Sequence, residues 1–342
     1  MKRKLILVLA CMMILSTALM AGCGGTGGGN GGGDSGNQDA DNGGGSGDVT
    51  TYNVGVSIYK FDDNFMTLYR QEIESYFKSL ETADVKYNVT IVDGNGDMAT
   101  QTAQVDTFIA QGMDVMVINL VQSSSADVIT QKAKAANIPV VYINREPSEE
   151  DMAAWNEICY VGADARQSGT YQGEIIANLP DHGDADGDGV VRYVMIMGDP
   201  ENVDAQYRTE FSIKALEDAG IEVDKLFEQR GDWEQAKGQE LAATALAQFG
   251  DKVDVIFCNN DGMALGAYQA IVAAGRTVGE DIYLVGVDAL AEAVDMVHDG
   301  RMTGTVLNDH IGQSHSAVDA AIKYLNGGSN ETYIWVNYQK VV

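Results

Sequence analysis

Apolar and polar positions fall into regular blocks from Val54 onward. Val54, Val56 and Ile58 make a short strand-type run, which gives way to Tyr59, Asp62, Asp63 and Asn64 before Phe65, Leu68, Ile73, Phe77 and Leu80 recur at helical spacing. Further apolar runs stand at 87–92, 115–120, 138–143 and 158–161, separated by helical patterns such as the face of Val105, Phe108 and Ile109. Continuous apolar strands alternating with helices predict a parallel sheet covered on both faces. The pattern returns at 193–197, 253–257, 283–287 and 303–307, so the expected architecture is α/β with two similar lobes. Periodicity alone leaves open how the chain threads between them.

Several of these strands end in polar residues. The first leads to Tyr59, Asp63 and Phe65; the run at 138–143 leads to Asn144; the one at 193–197 leads to Asn202, Asp204 and Arg208. The later ones lead to Asn260, Asp288 and Asn308, and Trp233 stands in a turn after Gly231 and Asp232. In parallel α/β sheets ligands bind beyond the strand C-termini. Asp and Asn at strand ends are also ordinary helix caps, and Asp63 or Asn64 can be read either way. As a set, planar acids, planar amides and one guanidinium suit a polyhydroxyl ligand, because each hydroxyl both donates and accepts. Aromatic rings suit the faces of a sugar made of C–H bonds.

Composition narrows the picture. A formal charge of -28 argues against nucleic acid and against docking on anionic lipid, both of which need clustered Lys and Arg. The four cysteines have no CxxC spacing; Cys159 and Cys258 lie in apolar runs and read as small buried hydrophobes. There is no G-x-x-x-x-G-K-S/T loop and no G-x-S-x-G elbow, the first strand is not followed by a G-x-G-x-x-G turn, and the four histidines are scattered, so no enzyme motif competes.

At the amino terminus, Lys2, Arg3 and Lys4 precede an apolar stretch from Leu5 to Leu19, a secretory signal expected to occupy 1–22. Met20, Ala21, Gly22 and Cys23 resemble the lipobox of bacterial lipoproteins, which implies a diacylglycerol on Cys23; cleavage near Ala21 with a free thiol is the simpler alternative. Residues 23–50, almost all Gly, Asp, Asn and Ser after the cysteine, read as a disordered tether with a reach of about 30 Å. The expected location is therefore the outer face of the cytoplasmic membrane.

The blocks Tyr59 to Phe65, Ile143 to Pro147, Tyr160 to Asp164, Asn259 to Gly266, Gly286 to Leu290 and Gly304 to Asp309 resemble, in order, the galactose/glucose-binding members of the type I periplasmic sugar-binding proteins. The resemblance covers about Val54 to Val342. It implies two Rossmann-like parallel-sheet lobes joined by a three-stranded hinge, with 51–163 and 309–342 in the first lobe and 164–308 in the second. By matching position, Phe65 and Trp233 flank a pyranose, and Tyr59, Asp63, Asn144, Asn202, Asp204, Arg208, Asn260, Asp288 and Asn308 line its site. Asn202 replaces the His that the family carries there. The resemblance further implies a monomeric solute receptor for glucose or galactose that serves an ABC importer permease, or a sensory protein whose closed form is read by a chemoreceptor or kinase. It also implies that the final run, 338–342, enters the third crossing.

Asp184, Asp186 and Asp188, followed by Gly189 and Val190, have the spacing of an EF-hand loop. The family holds Ca²⁺ in a similar loop, which implies Asp184, Asp186, Asp188, Val190 and the distant Asp254 as ligands. Arg192 stands where the family supplies an oxygen. A solvated acidic turn is the alternative.

Overall fold

The structure, a computed structural model, describes residues 49–342. The expected signal segment, Cys23 and all but the end of the expected tether lie outside these residues.

The first lobe winds β1 (Thr50–Ile58), α1 (Asn64–Ser79), β2 (Val85–Asp93), α2 (Met98–Gln111), β3 (Val115–Ile118), α3 (Ala126–Ala136), β4 (Val140–Ile143), α4 (Glu149–Met152) and β5 (Ile158–Gly162). The second follows with α5 (Ala165–Ala177), β6 (Val191–Met197), α6 (Val203–Asp218), β7 (Val223–Arg230), α7 (Gln235–Phe249), β8 (Val255–Cys258), α8 (Asp261–Ala273), β9 (Tyr283–Val285), α9 (Ala291–His298) and β10 (Thr305–Leu307). The chain then returns to the first lobe as α10 (His310–Leu325) and β11 (Tyr333–Trp335), and ends in β12 (Gln339–Val341).

The first sheet has the parallel order β11-β5-β4-β3-β1-β2, the second the parallel order β7-β6-β8-β9. Each lobe thus places its first strand between its second and third, which is the doubly wound pattern that leaves a crevice at the strand C-termini. Parallel bridges from Val285 to Gly304 and from Asp288 to Leu307 carry the second sheet on to β10.

Successive residues of the central strands face opposite sides, and both sides are covered. In β3, Val115 and Val117 join one apolar cluster while Met116 and Ile118 join another, all four fully buried. In β8 the same division puts Ile256 and Cys258 under one helical layer and Val255 and Phe257 under the other. Burying such a side chain contributes about 1.5–3 kcal/mol, so these short strands tolerate no polar residue until they leave the sheet. Cys159 and Cys258 are fully buried, and burial pushes the Cys159 thiol up to about 12.

Two expectations change. The run 339–341 was assigned to the first lobe, but as β12 it pairs antiparallel with β10, Thr305 opposite Val341, and so belongs to the second. The third crossing is over by Tyr338, whose N–H donates to Gln167 of α5. Strands β7 and β11, absent from the apolar pattern, flank the two sheets at their edges, where half-exposed residues such as Lys225, Glu228 and Trp335 are stable without an apolar run.

Candidate functional site

The loops that leave β1, β4, β6, β7, β8, β9 and β10 converge on one narrow cavity between the lobes. It is lined by Tyr59, Asp63, Phe65 and Asn144 from the first lobe, by Asn202, Arg208, Trp233, Asn260 and Asp288 from the second, and by Asn308 at a crossing. Met66 and Arg145 line it too, although neither was singled out in the sequence. Asp204 does not reach the wall. It lies behind it, buried, with one oxygen 3.9 Å from Nη2 of Arg208.

Helix cap and cavity wall are not alternatives here, because the same residues are both. Asp63 accepts the Met66 N–H with Oδ1 (2.7 Å) and the Tyr59 hydroxyl with Oδ2 (2.6 Å). Asn202 caps α6 through the Asp204 N–H (3.1 Å), and Asn260 caps α8 through the Met263 N–H (3.0 Å) while its amide donates to the Trp233 carbonyl. Each cap spends an oxygen on its helix, which helps fix the rotamer of a group that also lines the cavity. The positive ends of α1, α6 and α8 consequently face the same space.

Backbone geometry is special at the same places. Asn144, Trp233 and Asp288 all have left-handed φ, at 63°, 68° and 122°, as does Asp232 before the tryptophan at 52°. Non-glycine residues reach this region at a cost and cluster where surrounding contacts hold them. Trp233 lies over Gly198, where an added Cβ would overlap the indole ring. Glycine at that point brings an aromatic wall down onto the turn after β6.

Behind the wall, two asparagines brace the loops. Asn119, next after β3, accepts the Tyr59 N–H (3.1 Å) and donates to the Ile143 carbonyl (3.2 Å) and to the Asn144 side chain (3.1 Å). Asn259, next after β8, accepts the Gly198 N–H (2.9 Å), and its own carbonyl accepts from Arg208 Nη1 (2.7 Å). Asn119 was hidden in the sequence inside the apolar run 115–120; a lone amide in such a run is the signal that could have revealed it.

Charge within the cavity is nearly balanced. Burial works against the Arg208 charge, yet Tyr338, Asp288 and Asp204 around it hold its pKa above that of ordinary arginine. Burial pushes Asp288 up to about 7 and Asp204 up to about 6, with Arg208 opposing both shifts. Arg145 is buried, stacks on the Tyr59 ring at 3.7 Å and faces Asp199 of the other lobe at 3.7 Å. Lys60 and Glu234 bridge the lobes at 3.4 Å nearer the surface. The lobes are therefore in contact across the cleft, with two acids and two guanidinium groups on its wall.

The EF-hand-like turn between α5 and β6 brings carboxylate oxygens of Asp184, Asp186 and Asp188 within 4.8 Å of one another. Asp254 is fully buried beside them, and its Oδ2 accepts the Arg192 N–H at 2.7 Å. The Arg192 side chain lies 2.7 Å from Asp188 and 3.6 Å from Asp186. The donor set is thus shared with a guanidinium, a poor fit to a resident Ca²⁺, which takes oxygen ligands all round.

A polar cavity closed by two doubly wound lobes, with an aromatic residue from each on its wall, defines a two-lobed receptor for a small ligand. The chain belongs to the periplasmic binding protein family: residues 54–329 match the periplasmic binding protein domain. It is 36% identical over 280 residues to the D-galactose/methyl-galactoside binding periplasmic protein of Haemophilus influenzae, covering 81% of this chain and 82% of that one. It is 31% identical over 236 residues to the D-ribose/D-allose-binding protein of Pseudomonas aeruginosa, covering 69% and 70%. Among solved structures, an ABC transporter solute binding protein from Bacillus halodurans with bound myo-inositol superposes with a TM-score of 0.75 at 26% identity, over 87% of this chain and 96% of that one. These similar proteins are binding proteins, and the chain is one of them rather than an enzyme.

Proposed function

We propose that this protein binds a monosaccharide between its lobes outside the cytoplasmic membrane and delivers it to an ABC importer, with glucose or galactose as the ligand. The observation that carries the reading is the cavity wall itself. Two acids, two guanidinium groups and four asparagine amides leave little net charge and many paired donors and acceptors, and Phe65 and Trp233 supply one ring from each lobe. A neutral polyhydroxyl ligand satisfies such a wall; a phosphate or an ammonium would upset its balance. The cavity is walled from both lobes and at a crossing between them, which suits one small ligand better than an extended chain. The relatives above, named for galactose, ribose and allose, support the class of ligand.

Asp63, Asn144 and Asn308 are assigned as hydroxyl partners, joined by Asn202, Arg208, Asn260 and Asp288 from the second lobe. Contacts to both lobes favour the closed form only when sugar is present, so the permease can distinguish loaded from empty receptor. A Cys23-linked lipid and the tether would keep the receptor at the membrane surface as a monomer.

Titration calorimetry with a panel of monosaccharides tests this. One-to-one binding near micromolar, about -8 kcal/mol, is expected for glucose or galactose, with weaker heats for pentoses. Tight binding to a pentose or an inositol and none to hexoses would overturn the choice of ligand. No heat from any neutral polyol would overturn the class.

A further inference from the structure

The acidic turn between α5 and β6 is stabilised from within. Asp184 receives the N–H groups of Gly187, Asp188 and Gly189 at 2.9, 3.2 and 2.8 Å, so the backbone of the turn already occupies its carboxylate. Asp188 uses Oδ1 to accept the Val190 N–H (3.1 Å), leaving Oδ2 free to meet Arg192. Asp254 spends Oδ2 on the Arg192 N–H, and its Oδ1 has no partner. Three carboxylates within 4.8 Å of one another, with Asp254 close by, repel one another, and a positive charge offsets them. Arg192 supplies one, its side chain on Asp188 and Asp186 and its N–H on Asp254. It stands at the start of β6, reaches back over the turn and pairs with Asp188 and Asp186, its side chain only 21% exposed. It also stands at the loop position from which an oxygen ligand would come, so it both removes a ligand and supplies a charge.

We propose that Arg192 is this turn's resident cation, a side chain in place of a divalent metal, and that the second lobe holds its shape without Ca²⁺. A guanidinium differs from Ca²⁺ in two ways that matter here. It cannot dissociate, so the turn stays formed where calcium is scarce. It neutralises one charge rather than two, so the cluster remains net negative and Asp254 keeps an oxygen unpaired. Removing the guanidinium should therefore recreate a calcium site: the turn geometry and all four carboxylates remain, and the loop position becomes open.

Thermal unfolding of the full chain with millimolar CaCl₂ or with EDTA tests the idea, together with terbium luminescence as a direct reading of metal in the turn. The wild-type melting temperature should be the same in both solutions, with no terbium signal. Arg192→Gln should melt measurably lower than the wild type in EDTA. It should regain that loss in calcium and bind terbium. A wild-type protein that melts lower in EDTA and recovers with calcium would overturn the proposal, as would an Arg192→Gln protein indifferent to both solutions. Should the variant not fold, the wild-type comparison and its terbium reading still decide. Sugar affinity is not the readout, so neither result bears on the ligand assigned to the cleft.

Discussion

Asn119 in the first lobe and Asn259 in the second occupy the same place in the two windings, just past the third strand, and each ties down the loop that leaves the first strand. What they tie it to differs. Around Asn119 the partners are neutral: Gln101 donates to Ser57 Oγ and to the Asn119 carbonyl, and accepts from the Val121 N–H, all within buried space. Around Asn259 the partners lead to charge, with Arg208 donating to its carbonyl and to Tyr338, and Asp204 and Asp288 close by. One fold thus offers two ways to stiffen a binding loop. An amide network is stable at any pH and needs no counter-ion. A buried guanidinium binds more strongly but leaves unpaired charge behind when it is removed.

That contrast predicts unequal costs. Arg208→Ala strips the counter-charge from Asp204 and Asp288; losing one partner of a buried charged set costs about 2–5 kcal/mol. Sugar affinity should fall at least about 30-fold and the melting temperature should drop with it. Asp63→Ala, its opposite number in the first lobe, should weaken binding about tenfold and cost the fold only the α1 cap, about 1 kcal/mol. Calorimetry and thermal melts on the two variants measure both; equal losses would erase the distinction between the lobes.

The braces come next. Asn119→Ala leaves the Tyr59 N–H without its partner, and Asn259→Ala does the same to Gly198, each at about 1–3 kcal/mol for an unsatisfied buried group. Asn119→Ala should also weaken sugar binding, since the Asn144 side chain loses its support, whereas Asn259→Ala leaves Arg208 bonded to a backbone carbonyl and should spare affinity. If both variants bind equally, the brace at Asn119 is structural only.

The smallest effect is a pH dependence from the buried acids around Arg208. With Asp288 raised to about 7 and Asp204 to about 6, the folded ligand-free protein holds protons that the unfolded chain has released above its usual carboxylate range. The contribution of these groups to stability is full below about pH 4 and is lost as pH rises through 6 to 7. A sugar hydroxyl donating to Asp288 on the cavity wall favours its ionised form, so affinity should rise over the same interval and binding should release protons. Calorimetry in two buffers of different ionisation enthalpy detects that release; none at pH 6.5 would mean that these acids do not change protonation with ligand.

Much of this was visible in the chain. The alternation of apolar runs and helical patterns predicted both sheets, and the polar strand ends predicted most of the cavity wall, because a doubly wound sheet sends those ends to one edge. Other features were not visible. Strands β7 and β11 lie at sheet edges, where one face or one neighbour is missing and the apolar signal fades. The lobe to which β12 belongs is decided by pairing with β10, a long-range choice that three residues cannot encode. Arg145 reads as an ordinary charged residue in a loop; its burial against Tyr59 and opposite Asp199 exists only once the lobes meet. Asp204, in contrast, looked like a wall residue because it shares a strand-end segment with Asn202 and Arg208, but on the same face of α6 only the longer Arg208 side chain reaches the cavity, with Asp204 beside it.

The left-handed backbone at Asn144, Trp233 and Asp288 has a practical consequence for anyone reshaping this receptor. Those conformations are imposed by the packed sheets beneath, so peptides copied from the loops and spliced into a foreign scaffold would relax and lose their aim. Altered ligand choice is better sought by exchanging side chains in place, leaving the path of the main chain untouched.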